Sequence, residues 1–102
     1  MRTPEGLEAL RQAIARQQAE RHARDLLNVA PPNVFIRPGK RWVKVDVGTS
    51  GKYMVDTDGT IYGIKAYGVP HPGHRFGTLD TISEWDWSGY AAVRKNGGPH
   101  AD

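Results

Sequence analysis

Residues 42–66, WVKVDVGTSGKYMVDTDGTIYGIKA, decide the fold because their apolar side chains alternate with polar ones. Valine recurs at every second position from 43 to 47, and Tyr53 and Val55 continue the same period further along. A period of two is typical of a β-strand that buries one face. The stretch therefore predicts antiparallel strands that share one apolar face.

The dipeptide Asp58-Gly59 predicts how the last two strands of this stretch are joined. Asp-Gly is a preferred central pair of the two-residue type I′ hairpin turn. Such a turn places Val55 opposite Tyr62, with Tyr53 and Ile64 on the same apolar face.

A loop before Tyr53 decides which face the three valines share. A five-residue loop at 48–52 brings Val43, Val45 and Val47 to the apolar face, whereas a four-residue loop sends them to the other. We expect the longer loop and a three-stranded meander. Its outer face then carries charged residues together with large apolar ones: Lys44, Asp46, Asp56 and Lys65, with Trp42, Met54 and Ile61 among them.

Residues 3–29 predict a long helix. Thr3 is a suitable N-cap and Pro4 suits the first helical position. No Gly or Pro occurs between residues 7 and 28, and Pro31-Pro32 ends the helix. The fold class is thus α+β: a long N-terminal helix followed by a small antiparallel sheet, namely the three-stranded meander plus one or two short strands.

The apolar residues of this helix fall on two nearly opposite faces. Leu7, Leu10 and Ile14 form one face at 100° per residue. We expect the second face to dock on the sheet. The first face then either contacts a partner, such as a second copy of the chain, or belongs to a solvated arm. The second face comprises Ala19, Ala23, Leu26, Leu27 and Ala30.

The rest of the chain is predicted in less detail. Val34-Phe35-Ile36 suits a short edge strand or a plug, because Pro38 excludes a long central strand. Residues 82–87 suit one helical turn or a strand with Trp85 and Trp87 on one side. The expected organisation is a helical arm at 1–30, a linker at 31–41, a β-rich domain at 42–95 and a loose tail at 96–102. Within the β-rich domain we expect an irregular loop at 67–80 and short strands near 75–79 and 90–95.

Composition excludes several functional classes. The 102 residues contain no cysteine, so disulfide scaffolds and cysteine-ligated metals are excluded. No apolar run approaches the ~20 residues of a membrane span, and no signal-peptide pattern opens the sequence, so we expect a cytoplasmic protein. The formal charge of +3, from 14 Lys and Arg against 11 Asp and Glu, is only mildly basic.

No catalytic or metal-binding pattern accompanies the polar residues. His71 and His74 stand three apart in a Gly/Pro-rich loop, but a histidine pair alone is a weak metal signal. No nucleophile stands at a spacing that would let either histidine act as its base. We therefore expect no enzyme activity, no cofactor and no metal.

Two sets of residues are candidates for binding. Trp, Tyr and Met are enriched at interface centres, so large apolar residues outside the predicted core suggest a protein partner. A competing interpretation is that residues 67–95 cover the outer face and bury these rings. The protein-partner set is Leu7, Leu10, Ile14, Trp42, Met54, Ile61, Trp85 and Trp87.

A basic cluster supports an alternative, nucleic-acid binding. Sheet faces that combine aromatic and basic side chains stack bases and follow phosphates. Asp46 and Asp56 on the same predicted face count against it, because carboxylates repel phosphate. The cluster consists of Arg37, Lys40, Arg41, Trp42 and Lys44.

Three segments, 51–70 (GKYMVDTDGTIYGIKAYGVP), 74–82 (HRFGTLDTI) and 85–90 (WDWSGY), resemble small uncharacterised proteins of actinobacterial (mycobacteriophage-like) phages. The resemblance covers about residues 42–95, leaves the helix unmatched, and supplies no catalytic or binding residues. It implies a protein made in the cytoplasm of an infected host. The resulting hypothesis is that the chain is a non-catalytic phage-type accessory protein that binds a host or phage protein. In one variant of this hypothesis it forms a homo-oligomer through its helix.

Overall fold

The computed structural model describes residues 2–25, 33–89 and 91–95. One helix precedes a five-stranded and a two-stranded sheet, which confirms the α+β class. In chain order the elements are α1 (Pro4–Arg24), β1 (Val34–Arg37), β2 (Val43–Val47), β3 (Ser50–Val55), β4 (Thr60–Ala66), β5 (Val69–Thr78), a 3-10 turn (Ile82–Glu84), β6 (Trp85–Asp86) and β7 (Val93–Arg94).

The five-stranded sheet is an antiparallel meander in the order β1-β2-β3-β4-β5. Val43 pairs with Val55 and Val45 with Tyr53, and all four are buried on one inner face, as the alternation predicts. The prediction of a five-residue loop at 48–52 is wrong, however. A two-residue turn joins Val47 to Ser50, and a register shift between Val45 and Asp46 restores the predicted face.

The turn between β3 and β4 is one residue longer than the predicted type I′ turn. The Gly59 amide donates to the Asp56 carbonyl (2.9 Å), and Gly59 has φ +89°. Val55 therefore pairs with Ile61 rather than Tyr62. A one-residue slip exchanges the faces of a strand. The predictions that Ile61 faces outward and Tyr62 inward are both wrong.

The helix begins as predicted and docks through the opposite face. Thr3 caps it by accepting a hydrogen bond from the Gly6 amide (3.0 Å). Leu10 and Ile14 are fully buried in the core, with Leu7 packed against it. The prediction that this face is free for a partner is wrong, because the inner face of the sheet covers it.

The helix ends at Arg24 with Asp25 as its C-cap, five residues before the predicted end at residue 29. The second apolar face of the helix, which was expected to dock on the sheet, does not reach the core in its described part. Ala23 is exposed and Ala19 is half-buried. Leu26, Leu27 and Ala30 lie outside the described residues. The helix is therefore part of the core rather than an appended arm.

The segments around the meander add strands at both edges. β1, within the predicted linker, pairs with β2 as an edge strand. β5 is longer than predicted, because an edge strand tolerates Gly and Pro through bulges, and its pairing with β4 shifts at three points.

The C-terminal segment closes the core. A single 3-10 turn leads directly into β6. The helical-turn interpretation and the strand interpretation of residues 82–87 are therefore each correct for part of this segment. Trp87 is fully buried and Trp85 nearly so, both in the core that contains α1. Their predicted role as exposed partner-binding residues is wrong, because they pack under the inner face of the sheet.

Candidate nucleic-acid interface

The outer face of the five-stranded sheet, the side away from α1, carries a row of side chains that crosses every strand. Strand pairing aligns Arg37 with Lys44, Lys44 with Met54, Met54 with Tyr62, and Tyr62 with Arg75. Three of the five residues are cations, and they come from β1, β2 and β5. We call these five residues the transverse row.

Met54 forms the floor of the transverse row. It is 2% exposed yet does not belong to the core cluster around α1, so the neighbouring outer side chains cover it. Its predicted exposure as a partner-binding residue is therefore wrong. The buried thioether excludes water from beneath the rings and cations around it.

Trp42, beside the row, and Tyr62, within it, form an aromatic platform. Their ring centroids lie 5.5 Å apart in an edge-to-face arrangement. The Arg41 guanidinium lies 4.9 Å from the Trp42 ring centroid, and the Arg75 guanidinium 5.8 Å from that of Tyr62. Cations over ring faces are attracted by the ring quadrupole. We call this group the tryptophan platform.

Tyr67, in the turn between β4 and β5, provides a second ring. Its hydroxyl donates to Asp46 Oδ2 (3.1 Å), and the Lys44 Nζ lies 5.0 Å from its ring centroid. Partial desolvation raises the pKa of Tyr67, and the bond to the Asp46 carboxylate raises it further. Gly51 lies directly beneath the ring, since a Cβ there would be 2.7 Å from Tyr67 Cδ1. We call this group the tyrosine platform.

The two carboxylates of the outer face are covered by arginines. Arg37 Nε lies 2.7 Å from Asp46 Oδ2, with the arginine side chain 56% exposed and the aspartate 5%. Arg41 bonds both oxygens of Asp56 at 3.2 Å, with exposures of 68% and 13%. This pairing lowers the pKa of Asp56. Solvent therefore meets the guanidinium groups rather than the carboxylates, although each pair as a whole is neutral.

Four of the five residues of the sequence-predicted nucleic-acid cluster come together on the outer face. Arg37, Arg41, Trp42 and Lys44 contribute to the row and its platforms, and Lys40 is exposed in the loop between β1 and β2. By contrast, six of the eight predicted protein-partner residues are buried: Leu10, Ile14, Met54, Ile61, Trp85 and Trp87.

Sequence reasoning missed three residues of this surface. Tyr62 was assigned to the core face by the two-residue turn. Tyr67 lies in a segment predicted to be irregular, and Arg75 begins a predicted short strand with no predicted pairing partner. The signal that identifies Arg75 is its pairing with Tyr62 across β4 and β5, which only the register provides.

The histidine pair lies apart from these platforms. The His71 and His74 rings stack in parallel with centroids 3.8 Å apart, and His71 Nδ1 accepts from the Gly73 amide (3.2 Å). Within 2–25, 33–89 and 91–95, no three His, Cys, Asp or Glu residues are grouped as a metal site would require.

In the same part of the chain, no helix combines the length and the apolar character needed to cross a bilayer. The chain matches no family model, no curated protein and no solved structure.

Proposed function

We propose that the protein is a non-catalytic nucleic-acid-binding domain and that the outer sheet face is its binding surface. The observation that carries the proposal is the transverse row, in which Arg37, Lys44 and Arg75 lie on one line across the sheet. Cations on one surface neutralise phosphates and release their counterions. Arg41, over the Trp42 ring, extends the positive surface beside the row.

The aromatic platforms distinguish this surface from an ordinary charged face. A solvated charged face needs no rings, whereas the outer face holds Trp42, Tyr62 and Tyr67, each with a cation over it. Base stacking on aromatic side chains and guanidinium planes is how sheet surfaces contact nucleic acids. Rings and cations together therefore favour nucleic acid over a generic anion.

A protein partner remains a competing hypothesis for the same surface. Of the eight residues first assigned to such a partner, Trp42 on the outer face and Leu7 are the two that are not buried. The resemblance of residues 42–95 to phage proteins fits either ligand. The resemblance also implies that the protein binds its ligand in the cytoplasm of an infected host.

Salt dependence of binding tests the proposal. Fluorescence anisotropy of a labelled oligonucleotide should show affinity that falls linearly with the logarithm of salt concentration, with a slope of about −2 to −3 for three row cations. Lys44→Gln should weaken binding several-fold and make the slope less negative by about 0.7 to 0.9. The matched control is Lys95→Gln, an exposed lysine beside α1 on the opposite side, which should change neither.

Two results would overturn the proposal. One is no binding at about 50 mM salt, where the electrostatic contribution is large. The other is an equal loss in the Lys44 and Lys95 variants, since net charge alone would then explain the binding.

A further inference from the structure

We infer that the outer face takes a single strand, with unpaired bases stacked on the two platforms and the backbone crossing the transverse row. This inference rests on the proposed function and names its ligand class. It is carried by the geometry of the rings and by the width of the sheet.

The tyrosine platform is held in place before any ligand arrives. The hydroxyl of Tyr67 is fixed by Asp46 and its ring lies against Gly51, while 54% of the residue remains exposed. A ring whose hydroxyl is already held and more than half of which is exposed loses little side-chain entropy when a base stacks on it. Tyr67 is thus prepared for stacking rather than packed in a core.

The tryptophan platform presents a second stacking surface on the other side of Lys44. Arg41 lies over the Trp42 ring and is itself planar, so a base can stack on the ring or on the guanidinium. Trp42 precedes Lys44 by two residues, about 7 Å along an extended strand. Because Lys44 also contacts the Tyr67 ring, it lies between the platforms, where the phosphate joining two stacked bases would pass.

The sheet is wider than the major groove of an undeformed duplex. Five strands cover four inter-strand spacings, about 19 Å in total. The major groove of B-DNA is about 12 Å wide and admits a helix or a two-stranded ribbon. In a duplex, moreover, the base faces are occupied by stacking on each other, so Trp42 and Tyr67 would have no base to contact. The rings are usable when the bases are unpaired.

The experiment compares one labelled oligonucleotide of about 12 nucleotides, within the usual site size, with and without its complement. The single strand should bind at least tenfold more tightly than the duplex. It should also quench tryptophan fluorescence through Trp42, because the other two tryptophans, Trp85 and Trp87, are buried. The quench should disappear in Trp42→Phe.

Substitution of the tyrosine separates stacking from charge. Tyr67→Leu should weaken single-strand binding about five- to 100-fold, the usual effect of losing one stacked base, and leave the salt slope unchanged. Tyr67→Phe keeps the ring and should retain most of the affinity, and it guards against misfolding of the leucine variant. Val93→Ala removes an equally exposed apolar side chain on β7 and should have no effect.

The possible results distinguish failure of the single-strand inference from failure of the proposed function. If the duplex binds as tightly as the single strand, the single-strand inference fails while nucleic-acid binding stands. If neither form binds, both fail. If the single strand binds but Tyr67→Leu and Trp42→Phe leave affinity and quenching unchanged, stacking on the platforms is overturned.

Discussion

At the scale of single residues, Tyr53 shows that the core accepts an unsatisfied polar atom. Its ring packs edge-to-face against Phe76 and Trp87, with centroids 5.4 and 5.3 Å apart. Its hydroxyl is buried and makes no hydrogen bond within the described part of the chain. Burial raises the pKa of Tyr53 far above its usual value, and the nearby Ala92 amide offsets little of the shift. The ring therefore stabilises the core and the hydroxyl costs free energy.

Tyr53→Phe should leave the free energy of unfolding unchanged or raise it by about 1 kcal/mol, because it removes a buried group without a partner. The same substitution at Tyr67 provides the control. There the hydroxyl donates to Asp46, and its loss should lower the free energy of unfolding. Urea unfolding of both variants measures the difference. A clear loss of stability in Tyr53→Phe would contradict the assignment.

At the scale of elements, the β3–β4 turn fixes which side chains reach the outer face. Gly59 in the left-handed region adds one residue to the loop, and the Asp58 carboxylate accepts from the Thr60 amide (2.9 Å) to hold it. Such a three-residue loop is the type I turn followed by a bulge glycine. It turns Ile61 inward and Tyr62 outward, so the tryptophan platform depends on it.

Gly59→Ala should lower the free energy of unfolding by about 1 to 2 kcal/mol, because an L side chain is strained at positive φ. Gly89→Ala is the matched control, since a Cβ there would meet its nearest atom at an ordinary 3.4 Å and its φ is not positive. Thermal unfolding of both variants measures the difference. Equal melting temperatures would show that the turn does not need glycine.

At the scale of the whole molecule, α1 and the C-terminal segment hold each other against the sheet. Leu10 and Ile14 occupy the core, and two glutamines extend the contact by binding the Trp87 backbone. The Trp87 amide donates to Gln17 Oε1 (2.6 Å), and Gln18 Nε2 donates to the Trp87 carbonyl (2.9 Å). The inner face is thereby covered, and the outer face stays open to solvent.

Stability should also decrease in acid. Hydrogen bonds from Arg11 and Gln12 lower the pKa of Glu8 from 4.5 to about 2, and Arg41 lowers that of Asp56. A carboxylate with a lowered folded-state pKa stabilises the fold above its unfolded pKa, and that stabilisation is lost as the pH falls through the folded value. Melting temperatures should therefore fall between about pH 4.5 and about pH 2. Asp56→Asn should show a smaller fall, and a pH-independent melting temperature would contradict the assignment.

The sequence predicted those parts of the fold that depend on local chemistry. The helix start follows from Thr3 and Pro4, and the shared face of the valines follows from their period of two. The basic cluster was also identified, because Arg37, Lys44 and Trp42 lie close together in the chain. The partners that complete it, Tyr62, Tyr67 and Arg75, come from distant strands and depend on the register.

The sequence by itself determined the α+β class, the helix start and the alternation of the meander, because capping and side-chain period act over a few residues. Only the tertiary structure decided which helix face is buried and which sheet face stays open. Both apolar helix faces satisfy the helical period, and one extra residue in the turn at Gly59 reverses the faces of β4. Local patterns cannot decide between such alternatives, because the choice depends on what the whole core buries.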